Sequence, residues 1–454
     1  MHKYLIIPVL LGCSASVQAL TLEQSIAQAM MNNPQLIQKY AQFEAKYKDK
    51  RAAFSDYLPQ VSVYAATGYE KITYNNGREY DSELNRRELG LRVTQSLFSG
   101  FETVDEVARL DYEIKADQQA LISAAENLSL EIAQIYIDLF QSQGVIELSE
   151  QNIKDHEDIL NNIQNRAKKG LSSAADVAQV QSRLATANSG LLAARNNQFD
   201  LKAQYFDLVG EYPIDLHNPE VDSNYLPETL DIAIDRAKDN HPEIKASIFD
   251  VQAAEKQMDR DKSGFWPKID LELDINNNDN IGGFEGPDDD GRIMLTMSYD
   301  IYSGGRTTAR TEASAWRKEE AKAIRNNTYR QVIEGTTLAW NAFHFVGEQK
   351  GFYRQNVDFA TQTEKGYMQQ FVIGRRSLLD VLDSKIELFN ARKNYLKASF
   401  DEKKARYRLI NATGKLIEEL RVDTPDAWKL KDNDDEENNQ TDETTSSTAQ
   451  EVSN

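Results

Sequence analysis

The sequence predicts an α+β membrane protein of two internal repeats, whose four amphipathic strands need further copies of the chain to close a barrel. Three observations predict it. Segments recur at an offset of 208 and then 204 residues, four stretches alternate apolar with polar residues, and two pairs of helical stretches are too long for a compact domain.

The chain opens on "MHKYLIIPVLLGCSASVQAL", with a basic Lys3, an apolar run from Leu5 to Leu11 and small residues beyond it. Val17-Gln18-Ala19 fits a signal-peptidase site, so residues 1–19 are expected to be a leader removed after Ala19. The run is too short to span a bilayer, which takes roughly 20 apolar residues. The single cysteine, Cys13, follows Leu10-Leu11-Gly12, which is close to a lipoprotein box that Leu11 fits poorly. Cleavage after Ala19 leaves a mature chain that relies on neither disulfides nor thiol chemistry. No later segment resembles a transmembrane helix, so any membrane entry must use β-strands.

The first repeat, 20–211, begins with a helix. Leu22 to Pro34 matches Leu230 to Pro242, pairing Ile26 with Ile234, Ala29 with Ala237 and Asn32 with Asn240, and each helix breaks before its proline. The register holds until Tyr57-Leu58-Pro59-Gln60-Val61 meets Phe265-Trp266-Pro267-Lys268-Ile269. Strand alternation follows: Val61, Val63, Ala65, Thr67 and Tyr69, then Leu89, Leu91, Val93 and Leu97. The second repeat, 227–420, gives Ile269, Leu271, Leu273 and Ile275 opposite Lys268, Asp270, Glu272 and Asp274, and then Ile293, Leu295, Met297, Tyr299 and Ile301. Between these strands "YNNGREYDSE" and "NNNDNIGGFEGPDDDG" read as exposed loops. Asp288-Asp289-Asp290-Gly291 lacks the alternate ligands and closing Glu of a calcium loop.

At the shifted offset, Phe98-Ser99-Gly100 pairs with Tyr302-Ser303-Gly304, Gly170 with Gly374, and Gly210 with Gly414. Long helices are expected over 103–169, 171–210, 306–373 and 375–415, and one of sixty-odd residues is ~100 Å long at 1.5 Å per residue. Val177, Val180, Leu184, Ala187, Leu191 and Ala194 step by three and four as a coiled-coil seam, with Val381, Ser384, Leu388, Ala391, Tyr395 and Ala398 in the same slots. Residues 212–226 link the repeats. A disordered tail is expected over 421–454, most acidic from about Lys431, where no aromatic residue offers a core.

Four strands cannot close a barrel, so the apolar face must be shared between chains. Two copies would make a filled eight-stranded barrel; three would make twelve strands around an aqueous lumen, which the polar alternate face favours. A formal charge of -20 and a pI near 4.8 argue against nucleic acid as a partner. His2, His156, His217, His241 and His344 are scattered, and no HExxH, nucleophile elbow or phosphate loop is present, so the chain is not read as an enzyme and no cofactor or metal is expected.

The doubled layout, with "LPQVSV", "LFSG", "IYSGGR", "RLATANSGLLAA" and "FVIGRRSLLDVLDSKIELFNARKNYLKA", resembles the TolC-type outer-membrane efflux family over about residues 21–420. Within it the chain is most similar to the agglutination-type branch serving type I secretion of large adhesins. The resemblance implies a homotrimer: a twelve-stranded β-barrel in outer-membrane lipid, continued by a twelve-helix α-barrel in the periplasm. It also implies a periplasmic adaptor and an inner-membrane ABC transporter as partners, or an RND-type pump if the chain serves multidrug efflux. Gly170, Leu171, Ile373 and Gly374 become hairpin tips at the periplasmic mouth, where the adaptor docks and the turn needs glycine.

The resemblance further assigns a periplasmic gate to Asp176, Arg376 and Phe371, and a luminal carboxylate ring to Asp380 and Asp383. Arg376 would bond across the mouth toward Asp176. Phe371 stands where the family often has a tyrosine, so that hydroxyl is missing here. For Asp176 and Asp380 a second role is equally open, since Ser173 and Ser377 precede them at capping-box spacing. Asp383, one turn on, lies beyond capping reach.

Overall fold

A computed structural model describes residues 21–75 and 79–431, with no side-chain detail at 74, 75, 79 and 80. The leader expected at 1–19 lies outside the described residues. In chain order the elements are α1 (Leu22–Asn32), α2 (Pro34–Phe54), β1 (Gln60–Asn75), β2 (Glu79–Phe98), α3 (Glu102–Lys168) and α4 (Ala174–Val209). The second half repeats them as α5 (Leu230–Asn240), α6 (Pro242–Asp261), β3 (Lys268–Asp279), β4 (Pro287–Ser298), α7 (Arg306–Val372) and α8 (Leu378–Ala412), closing with α9 (Leu416–Glu419). The chain divides into two compact units, which share the long helices α3 and α7.

One unit comprises Ile37–Ala124, Asn240–Ile333 and the chain from Asp426. Its strands form one antiparallel sheet in the order β1-β2-β3-β4, leaving β1 and β4 as edges. The register places Val61, Val93, Leu273 and Ile293 side by side, and the next row holds Ser62, Arg92, Asp274 and Arg292. One face is therefore apolar and the other polar, as alternation requires. The apolar face is uncovered in the single chain, with Val61, Ile293, Leu295 and Met297 all about two-thirds exposed. Tyr64 lies across Gly90, where any side chain would strike its ring, and its hydroxyl donates to Asn276 Oδ1 at 2.7 Å.

The loops read from composition are shorter than expected. Strand pairing continues through Asn75 and from Glu79, and through Asp279 and from Pro287, so Asp288 to Gly291 belong to β4. Asn276 and Asn277 donate to Asp290 and Asp289 across the pair, which keeps these polar residues in the ladder. The second correction concerns the tail. Residues 421–431 pack: Val422 and Trp428 are buried, Trp428 O accepts from Gln118, and Lys431 N donates to Tyr47 Oη at 2.9 Å. A single tryptophan supplies the apolar area that the acidic composition beyond it lacks. Residues 432–454 lie outside the described residues.

The other unit holds α1, α4, α5, α8, α9 and the remaining parts of α3 and α7. Gly144 lets α3 approach Leu396 of α8, Phe140 meets Phe400 at 5.7 Å between ring centroids, and Asp138 pairs with Lys404 at 2.7 Å. On its other side α8 meets α7 through Lys350 and Glu402 at 2.6 Å and a cluster of Ala360, Leu388 and Ala391. Glu150 and Arg195, 2.9 Å apart, join α3 to α4. Thus α3 and α8 are central while α4 and α7 flank them. The expected seam row on α8 is buried at Val381, Ser384, Leu388, Ala391 and Ala398, whereas its counterpart on the flanking α4 is mostly half-buried.

Candidate functional site

Both tips end in the same backbone device. Gly170 N donates to Ala167 O at 2.9 Å and Leu171 N to Arg166 O at 2.8 Å; Gly374 N donates to Phe371 O at 3.0 Å and Arg375 N to Gln370 O at 2.8 Å. This is the Schellman arrangement, which satisfies carbonyls at a helix end and needs a left-handed residue. The two glycines have φ of 74° and 76°, and nothing crowds their absent Cβ, so conformation rather than space selects them. Leu171 and Ile373 stand 65% exposed at the tips.

Each tip then restarts a helix with a capping box. Asp176 N donates to Ser173 Oγ at 3.1 Å while Ser173 N donates to Asp176 Oδ2 at 2.8 Å. Ser377 and Asp380 repeat this, with Asp380 N donating to Ser377 Oγ at 3.2 Å and Ser377 Oγ donating to Asp380 Oδ2 at 2.9 Å. The Ser377 hydroxyl and backbone N–H, and then Arg376, hold the Asp380 carboxyl below its usual range.

Within the chain, Arg376 Nε donates to Gln370 Oε1 at 3.0 Å, its guanidinium lies 4.1 Å from the Tyr367 ring centroid, and Nη1 is 3.7 Å from Asp380. These partners are on its own hairpin, and Asp176 is not among them. Phe371 is half-buried. It packs against Ile159, Ile163, Val180, Leu378 and Leu382, a cluster drawn from α3, α4 and α8, with the Arg166 guanidinium over its ring. The hydroxyl-bearing aromatic beside Arg376 is Tyr367, one turn earlier.

Sequence reasoning missed four further residues. Arg183 of α4 pairs with Asp383 of α8 at 3.0 Å, and Lys385 of α8 pairs with Glu364 of α7 at 2.7 Å and Asp155 of α3 at 3.3 Å. Burial would lower the Lys385 pKa, but its two carboxylates outweigh that and raise it. Separating the α3/α4 hairpin from the α7/α8 hairpin must break both Arg183–Asp383 and Asp155–Lys385. These partners lie some 200 positions apart, and comparison of the repeats pointed elsewhere, since Gln179 is the counterpart of Asp383.

A long apolar stripe runs down each flanking helix. Leu338, Phe345, Phe352 and Phe359 on α7 are 52–70% exposed, and Leu192, Phe199 and Phe206 on α4 are 43–68% exposed, preceded by exposed Ala185. Both stripes have a seven-residue step. Counted from the tips, Ala185, Leu192, Phe199 and Phe206 lie 15, 22, 29 and 36 residues after Gly170, while Phe359, Phe352, Phe345 and Leu338 lie 15, 22, 29 and 36 before Gly374. The helices run in opposite directions from their tips, so the stripes are at matched heights.

Among the described residues no group of His, Cys, Asp and Glu could hold a metal ion, and no helix is long and apolar enough to cross a membrane. The sequence pattern of the family described as "Outer membrane efflux protein" matches residues 25–210 and 233–415. The chain is 26% identical to the outer membrane efflux protein BepC of Brucella suis, over 87% of this chain and 86% of that one. It is 24% identical to the outer membrane protein TolC of Vibrio cholerae, over 92% and 96%. Among solved structures, it superposes on the outer membrane protein VceC of Vibrio cholerae with a TM-score of 0.75 at 19% identity, covering 87% of this chain and 96% of that one.

Proposed function

The chain belongs to the outer membrane efflux protein family, and from that premise we propose that three copies close into one conduit that exports protein in type I secretion. It is an outer-membrane transport channel with a long periplasmic helical extension. The observation that carries the trimer is the pair of matched stripes: the α7 row of one chain meets the α4 row of the next, and the β4 edge meets the neighbour's β1. Such a head-to-tail contact generates a ring when the rotation closes. Twelve strands then enclose a polar lumen, and twelve helices form the tunnel below.

At the mouth, Arg376 and Asp176 form the latch, with Phe371 packed behind it, and Asp380 and Asp383 ring the lumen. The ring is weaker than two free carboxylates per chain, because Arg183 already faces Asp383. Exposed Leu171 and Ile373, beside Gly170 and Gly374, are the contact for a periplasmic adaptor, which couples the conduit to an inner-membrane ABC transporter.

Large adhesins as cargo rest on the chain's resemblance to the agglutination-type branch, and one relative at 20% identity is an alkaline protease secretion protein. Others, at 24% identity, are efflux-pump outer membrane proteins, which favours multidrug efflux with an RND-type pump as the second reading. Deleting the gene and comparing secreted protein with drug susceptibility separates the two. Loss of a large secreted protein, with an ABC transporter recovered by cross-linking in native envelopes, supports secretion. Unchanged secretion with increased drug sensitivity would replace that reading by efflux.

A further inference from the structure

The polar face of the sheet carries a charge pattern that neither the gate nor the apolar surface explains. In one row across the strands stand Ser62, Arg92, Asp274 and Arg292. Asp274 is almost fully buried beneath its neighbours, with Oδ1 accepting from Arg92 Nε at 2.6 Å and Oδ2 from Arg292 Nε at 3.3 Å. Two guanidiniums thus share one carboxylate. Both contacts use Nε, and the arginine side chains remain 50% and 55% exposed on the polar face.

The rows on either side have the opposite sign. Glu272 lies with Gln60, Thr94 and Met294; on the other side Asp290 lies with Tyr64, Gly90 and Asn276, followed by Glu88 and Asp288 in the row beyond. A positive row is therefore set between acidic rows in a chain of formal charge -20. A sheet brace needs only one arginine for one aspartate. The closer partner, Arg92, already provides it, and Arg292 is the charge in excess.

We propose that Arg92 and Arg292, repeated around the barrel, form an inward-facing cationic band that retards cations and holds anionic groups of passing cargo. Arg292 is its specificity-determining residue. The band rests on the trimeric barrel, which directs the polar face inward. Carboxylates and phosphates suit it chemically, because a guanidinium anchored through Nε still presents its terminal N–H donors to an anion. Its sign is opposite to that of the acidic ring at the periplasmic mouth, so the two set independent filters in series.

The test is the chloride-to-potassium permeability ratio of the purified trimer in a planar bilayer, with inorganic tripolyphosphate as the blocking anion. Arg292→Gln leaves the Arg92–Asp274 pair intact and should lower the ratio about twofold and weaken the block. That magnitude corresponds to three charges roughly 12 Å from the pore axis, screened over about one and a half Debye lengths, with the opposite effects on the two ions combined. Asp274→Asn should move the ratio about twofold the other way, and Arg292→Lys should retain the parent value. Should Asp274→Asn fail to assemble, the Gln and Lys variants of Arg292 decide the matter alone. A ratio and block unchanged by Arg292→Gln, or an equal fall in Arg292→Lys, would reduce the row to a brace and overturn the band. A parent protein that forms no conducting trimer sinks the channel reading, and the band with it, and is distinct from a conducting channel with unaltered selectivity.

Discussion

The matched stripes on α4 and α7 permit a direct perturbation. Phe345 and Phe352 are 63% and 70% exposed in the single chain. A phenylalanine side chain carries roughly 200 Å² of surface, so assembly would cover about 130 Å² on each. At about 25 cal/mol per Å² that is ~3 kcal/mol, of which truncation to alanine forfeits about two-thirds, or ~2 kcal/mol per residue. Two residues over three seams make ~12 kcal/mol for the closed ring. Phe345→Ala with Phe352→Ala should lower the temperature of the heat-induced conversion of trimer to monomer on denaturing gels by about 4 °C, whereas Met31→Ala, equally exposed on α1, should leave it alone. Register is tested separately. With no cysteine among the described residues, Leu192→Cys with Phe352→Cys should cross-link neighbouring chains to a trimer under oxidation. Phe199→Cys with Phe352→Cys is offset by one heptad, ~10 Å along the helix, and should not. An unchanged transition together with cross-linking of the offset pair would refute the seam.

Arg376→Ser should raise single-channel conductance, because it removes the latch from three chains at once; unchanged conductance would move the latch to Arg183–Asp383, which Asp383→Ala then tests. Burial pushes the Glu126 carboxyl up to about 7, although it accepts from Leu416 N and Ile417 N at the start of α9. Its folded pKa lies above the unfolded one, so its contribution is full below about pH 4.5 and is lost as pH rises through 7, by up to about 3 kcal/mol. Glu126→Gln should flatten that decline in thermal melts; an equally steep slope in the variant would acquit Glu126. Truncation after Lys431 should leave trimers intact, while truncation after Leu420 removes buried Trp428 and should lower trimer yield. Equal yields would show that the 421–431 segment contributes nothing to assembly.

The repeats, the helices and the strand parity were legible because each is a local period. Val61, Leu91, Ile275 and Ile293 declare their face by alternation, and the structure keeps that face continuous across all four strands. Strand ends were less legible. Asn276 to Asp279 and Asp288 to Gly291 have loop composition, yet they pair, since strands wet on both faces have no need of apolar residues. The tip glycines and capping serines could be read one by one, because a helix end is a local event. Arg183 with Asp383 and Lys385 with Glu364 and Asp155 could not, because such pairs depend on which helices become neighbours. The exposed stripes were present in the sequence as heptads, but only burial separates a stripe that is already covered from one left open.

That distinction bears on why the two copies diverged. In the proposed trimer, three chains of two repeats would place six similar hairpins around one axis, and identical hairpins would make six equal seams with no preferred place to open. The chain breaks that equality in two ways. The α8 row is buried against its own chain, whereas the α4 row is mostly only half-buried. The second repeat also carries charges that the first lacks at the same slots. Arg376, Asp380 and Asp383 occupy slots whose first-repeat counterparts are Ser172, Asp176 and Gln179, so only the shared capping aspartate is common to both. The capping box is needed wherever a helix restarts and is retained twice, while Arg376 and the second acid occur once per chain. In that trimer six tips would share one backbone geometry, and the three from the second repeat would carry Arg376 and the second acid, the charges proposed to set where the mouth gives way.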